Sequence, residues 1–115
     1  MPMIYLLPSC KTCQRVRETL AGLAEWDIRD IKSAPLTPAE VDELAKLAGS
    51  YEALFSRRAI LYRQRGLNEK KLSEDDYRGL ILEHYTFLKR PVVRVGDQLF
   101  VGSAKKTVEA AARAV

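Results

Sequence analysis

A chain of 115 residues, 47% hydrophobic and 30% charged, has the size of one ordinary domain and enough apolar material for a core, which excludes wholesale disorder. Its formal charge of +4 attracts anions in general and is too small to identify a nucleic-acid binder. No apolar run approaches the roughly 20 residues of a membrane span. The first residues, Met1 to Tyr5, lack the basic-then-apolar order of a signal peptide. A cytoplasmic location with no membrane association is therefore expected.

In chain order, Ile4 to Leu7 is a short run of apolar residues stopped by Pro8, which reads as a strand. Its lack of alternation predicts a central position, covered on both faces. Ser9 is a candidate cap for the next helix. Val16, Leu20, Leu23 and Ala24 recur at helical spacing and predict a helix over about Lys11–Ala24. Trp26 to Ile31 alternates apolar and polar residues and predicts a second strand. Strand, helix and strand within about 30 residues make a βαβ unit with parallel strands and a right-handed crossover.

Thr37, Pro38 and Glu40 together form a helix start, with a capping Thr, Pro at the first helical position and an acid three residues on. Val41, Leu44, Ala45 and Ala48 line one face, and Gly49 ends the helix. Tyr51 to Phe55 reads as a further helical turn. The segment Ser56–Leu67 crowds Arg57, Arg58, Arg63 and Arg65 together and is broken by Gly66. It is either a solvated face or the source of an inward-turned Arg for an oxyanion. Ser73 to Asp76 opens another helix with acids in its first turn. Tyr77, Leu80 and Ile81 are its inner residues, extended by His84 and Tyr85. His84 is the only histidine, and at a helix end it reads as a satisfied or exposed side chain rather than a catalyst. Val92 to Val95 and Gln98 to Val101 flank Gly96-Asp97 and predict an antiparallel hairpin. A final helix carries Val108, Ala111, Ala112 and Val115.

The order is thus β-α-β, a helical stretch, then β-β-α. This is an α/β chain with the connectivity of a thioredoxin-like mixed sheet of about four strands. A single domain over residues 1–115 is expected, with a helical insertion at about 37–87.

The only two cysteines, Cys10 and Cys13, are spaced C-x-x-C at the junction of the first strand and first helix. In a reducing compartment such a pair is redox-active or metal-binding more often than a permanent staple. Zinc needs about four ligands. Two Cys and one His fall short, so no metal is expected. A helix N-terminus stabilises a thiolate through unpaired N–H groups and the macrodipole. Cys10 is then the nucleophile, and Cys13, one turn further in, the resolving thiol. Lys11 and Arg15 add positive potential. A pair of inert thiols is the competing reading.

Ile4-Tyr5, Pro8 to Cys13, Leu54 to Arg58 with Tyr62-Arg63 and Gly66-Leu67, Leu88 to Val93, and Val101-Gly102 together resemble the arsenate reductase/Spx family of thioredoxin-fold proteins. The resemblance spans nearly the whole chain. It implies a mixed sheet with a helical insertion and a Cys that attacks arsenate, here Cys10. It also implies an anion cradle from Arg58 (or its neighbour Arg57) and Arg90, with Arg90 preceding a cis-proline at Pro91. Lys11, Thr12, Arg58, Arg90 and Pro91 are accordingly the candidate substrate-binding residues. The substrate would be a small oxyanion or a thiol compound. No bound cofactor is implied; glutathione, glutaredoxin or thioredoxin would be the reductant, and a monomer is expected. One-cysteine arsenate reductases have a residue other than Cys at the position of Cys13, and a third Arg after the last strand, where this chain reads Val101 to Ala104. Spx-type regulators share the C-x-x-C pair as a redox sensor and bind RNA polymerase through the C-terminal domain of its α-subunit. Gly49 lies near the position of their contact glycine. The resemblance thus carries two functions: a thiol-dependent oxidoreductase and a redox-sensing transcriptional regulator.

Overall fold

The computed structural model describes residues 2–115. Residues through Ala34 together with Arg90–Val115 form one compact unit, and Pro35–Lys89 form another.

The first unit is built on β1 (Met3–Leu6), α1 (Lys11–Leu20), β2 (Asp27–Asp30), β3 (Val92–Val95), β4 (Gln98–Val101) and α5 (Lys105–Ala114). Its sheet has the order β2-β1-β3-β4. β1 pairs parallel with β2, with Ile4 opposite Ile28, and antiparallel with β3, with Ile4 opposite Val93. β3 and β4 form the expected hairpin, turning at Gly96 with a φ of 62°. The unbroken apolar run of β1 thus marks a central strand: Ile4, Tyr5 and Leu6 are all buried. Ile4, Leu6 and Val93 pack with Cys13, Val16 and Leu20 of α1 and Ala111 of α5 in one core cluster. Arg90-Pro91, which leads into β3, is a cis peptide bond.

Several boundaries differ from the sequence expectation. Helix α1 stops at Leu20, short of Ala24, because Gly22 takes a left-handed φ of 85° that turns the chain. Leu23, freed from the helix, is 50% exposed. The helix is capped at Cys10; Ser9 lies one residue outside it. Ile28 is exposed because β2 is an edge strand. Val115 lies beyond the end of α5 and is exposed.

The second unit contains α2 (Pro38–Ala48), α3 (Ile60–Gln64) and α4 (Glu74–Glu83), linked by short 3-10 turns. Thr37 and Glu40 close a full capping box on α2, and Gly49 ends it at a φ of 100°. Ser73 and Asp76 do the same for the start of α4. The Glu74 carboxylate also accepts the backbone N–H groups of Tyr51 and Glu52. Phe55 is the packing centre, stacked on Phe87 and tilted against Tyr77. His84 ends α4, so it and Tyr85 lie past the helix; its Nδ1 accepts the Thr86 N–H. The histidine is a local cap, in keeping with its sequence reading.

Candidate functional site

The turn Pro8–Cys10 joins the central strand to α1. The Cys10 N–H donates to the Leu7 carbonyl at 2.9 Å, and the Gln14 N–H to the Cys10 carbonyl at 3.1 Å. Cys10 therefore occupies the N-cap of a helix whose first turn has neither a capping side chain nor an acid. The unpaired N–H groups there face the sulfur instead of a Ser or Asp oxygen. Both cysteines are free. Cys10 is partly exposed, whereas Cys13, one turn on, is buried in the core cluster.

This arrangement drives the two thiols apart. Partial burial works to raise the Cys10 pKa, but hydrogen bonds from the Cys13 backbone and thiol, the Arg90 charge and the Thr12 backbone together outweigh it. The Cys10 pKa is lowered as a result. Burial pushes Cys13 up to about 11, assisted by its hydrogen bond to Cys10 and by the charge of Cys10. A backbone hydrogen bond from Leu7 and the Arg90 charge offset only part of that rise. Helix N–H groups and one Arg thus make Cys10 the more acidic of the two thiols.

Arg90 comes from the segment before β3, and its charge reaches both sulfurs. Its Nη1 is buried and has no hydrogen-bond partner among the described residues. A buried guanidinium nitrogen without a protein acceptor is costly and fits a site that receives an anion. Pro91 follows it, fully buried. Lys11 is exposed and Thr12 half-buried at the helix start; Thr12 contributes its backbone N–H to Cys10.

The Arg-rich segment lies in the second unit. Arg57 is engaged there: it pairs with Glu52 and donates to the Tyr77 hydroxyl at 3.0 Å. Arg65 pairs with Glu83. Arg58 is exposed and has no side-chain partner among the described residues. Of the two adjacent candidates, Arg58 is therefore the one with its guanidinium available. Cys10, Cys13, Lys11, Thr12, Arg90 and Pro91 share the first unit, while Arg58 is carried by the second.

No group of three or more His, Cys, Asp or Glu residues comes together among the described residues. No helix there is long and apolar enough to cross a membrane. Sequence reasoning passed over Gln14, whose side chain donates to the Pro8 carbonyl at 2.6 Å across the Cys10 turn. Its position inside the first helical turn after C-x-x-C was the available signal.

The chain is similar to known proteins along almost its whole length. The global transcriptional regulator Spx of Bacillus subtilis is 29% identical over 107 residues, covering 89% of this chain and 79% of that protein. The arsenate reductase from Vibrio cholerae superposes with a TM-score of 0.82 at 19% identity, covering 99% of this chain and 97% of that one. An arsenate reductase (ArsC) related protein from Brucella melitensis gives a TM-score of 0.75 at 24% identity, covering 95% and 92%. These structural likenesses match the thioredoxin-like sheet order derived above. The sequence profile of the ArsC family matches residues 5–111, a span that runs from β1 into α5 and takes in both cysteines and Arg90. The chain belongs to the ArsC family.

Proposed function

We propose that this protein is a thiol-dependent oxidoreductase in which Cys10 attacks and Cys13 resolves. The observation that carries this reading is the pairing of a partly exposed thiol, held at a helix N-terminus beside Arg90, with a buried thiol directly behind it.

With a disulfide substrate, the Cys10 thiolate attacks one sulfur, the substrate S–S bond breaks, and a substrate thiolate leaves. The Cys13 thiol then loses its proton and attacks Cys10 in the mixed disulfide. The second substrate thiol is released and a Cys10–Cys13 disulfide remains, so two electrons have passed to the substrate. With an oxyanion such as arsenate, Cys10 displaces an oxygen as water. Attack by Cys13 on Cys10 then releases the reduced oxyanion. Glutathione, glutaredoxin or thioredoxin would restore the dithiol in either case.

The electrostatics suit this order. Burial keeps Cys13 protonated in the resting state, with the Cys10 thiolate adding to that effect. Once Cys10 is in an adduct its charge is gone, and Cys13 becomes easier to deprotonate when its attack is required. Arg90, and Arg58 from the second unit, are the residues we assign to the anion; Lys11, Thr12 and Pro91 complete the binding set. The cytoplasm, where dithiols are kept reduced, is the compartment this cycle needs.

The test is reduction of arsenate and of a model disulfide by purified protein supplied with each reductant. Cys10→Ser is expected to abolish turnover. Cys13→Ser is expected to abolish the route through the internal disulfide and leave any direct glutathione route. Full activity in Cys10→Ser overturns the proposal.

A second reading is supported by the similarity to Spx and the shared C-x-x-C pair. The chain would then sense redox state and bind RNA polymerase through the C-terminal domain of the polymerase α-subunit. A pull-down with that domain, using oxidised and reduced protein, separates the two; binding in neither state rejects the regulator.

A further inference from the structure

We propose that Gln14 is the positioning residue of the Cys10 thiol, its side-chain amide strapping the Pro8–Cys10 turn to helix α1. This rests on the reading of Cys10 as the nucleophile.

The Gln14 side chain reaches back past the helix start and donates Nε2–H to the Pro8 carbonyl at 2.6 Å. That carbonyl lies ahead of the helix and outside the sheet ladder, so the strap adds a side-chain tie at Pro8 to the backbone bonds that frame the turn. Two backbone bonds frame the same turn: Cys10 N–H to Leu7 and Gln14 N–H to Cys10. No conventional capping side chain fixes this helix start. Apart from the hydrogen bonds made by the two thiols themselves, the side-chain hydrogen bond found within 7–14 among the described residues is that of Gln14. A buried apolar packing role is ruled out, because Gln14 is exposed. An exposed side chain gains little from packing, so the hydrogen bond is what it contributes.

The turn sets where the Cys10 sulfur sits. That place is defined by the backbone N–H groups of Thr12 and Cys13 and the Cys13 thiol on α1, and by Arg90 on the segment before β3. Of these, the Cys13 thiol and Arg90 are the titratable and charged groups that act on it. Charge and hydrogen-bond stabilisation of a thiolate falls steeply with distance and angle. A turn released from its strap lets the sulfur wander from all of these partners together. Gln14 therefore tunes the nucleophile without touching it.

The experiment is the alkylation rate of Cys10 by iodoacetamide as a function of pH in the full reduced chain, with the modified site assigned by mass spectrometry. Gln14→Met keeps the side-chain length and removes the donor; Gln14→Ala removes both and guards against an effect peculiar to Met. In both variants the titration midpoint of Cys10 should climb by roughly half a pH unit, an approximately threefold loss of thiolate below the midpoint. The melting temperature should barely change, and Cys13 should stay slow. An unchanged Cys10 profile in both variants, or a drop in melting temperature without a change in profile, overturns the inference. A wild-type Cys10 midpoint at or above the free-thiol value instead overturns the nucleophile reading, and the inference with it.

Discussion

At the scale of single residues, the two thiols differ in acidity, Cys10 being lowered and Cys13 raised. Among the described residues, Arg90 is the charged side chain outside the C-x-x-C turn whose charge acts on both sulfurs. Replacing it with Gln keeps polarity and removes the charge. Cys10 alkylation near neutral pH is then expected to slow by about threefold to tenfold, since a close opposite charge shifts a pKa by about a unit or less when partly solvated. An unchanged rate in Arg90→Gln would show that the helix N–H groups alone hold the thiolate. Much of this was legible in the sequence. The C-x-x-C spacing, the strand before it and the Arg-Pro pair before a later strand each have a local signature. The engagement of Arg57 had none, because its partners Glu52 and Tyr77 are not signalled by the Arg run itself. The Gln14 strap had only its place after C-x-x-C to signal it, since its acceptor is a backbone carbonyl exposed only by the fold of the turn.

At the scale of elements, starts were easier to read than ends. Thr37-Pro38 with Glu40 predicted a helix start, and the structure closes the box with both hydrogen bonds. Thr37→Ala is expected to cost about 1 kcal/mol and lower the melting temperature of the chain by roughly 4 °C. Thr37→Asn, which keeps an acceptor, should recover most of that. Equal melting temperatures for Thr37→Ala and the parent would mean the cap adds nothing to the rest of α2. The end of α1 was misread because Val16, Leu20, Leu23 and Ala24 keep helical spacing past the point where Gly22 breaks it. Spacing records which residues are apolar; it does not record that one glycine has left the helical region of backbone space. Likewise β2 alternates as a half-buried strand should, yet as an edge strand it leaves Ile28 exposed. Which strands flank a given one is decided by pairings distant in sequence, and no window of residues contains that information.

At the scale of the whole chain, Cys13 couples the chemistry of the site to folding. It is a core residue, packed with Ile4, Val16, Leu20 and Ala111. Folding raises its pKa from an ordinary 9.0 to about 11. Between those values the unfolded chain has released the proton and the folded chain holds it, so the folded state binds more protons. Stability from this group is complete below pH 9 and is lost as the pH rises towards 11. Cys10 acts in the opposite sense: its pKa is lowered, so its contribution is complete above the free-thiol value and is lost as the pH falls through the folded one. The window above pH 9 therefore belongs to Cys13. Trp26 reports on the right unit, since its indole N–H donates to the Leu20 carbonyl at 2.9 Å and its ring packs on the core that holds Cys13. Urea unfolding of reduced protein, followed by Trp26 fluorescence, should show wild type more stable than Cys13→Ala by about 1–2 kcal/mol near neutral pH, from lost packing. That gap should narrow by on the order of 1 kcal/mol as the pH passes through the window. A gap that stays constant to the top of the window would mean that Cys13 titrates alike in the folded and unfolded chain. The thiol would then not be held protonated by its burial, and the division of labour between the two cysteines would lose its physical basis.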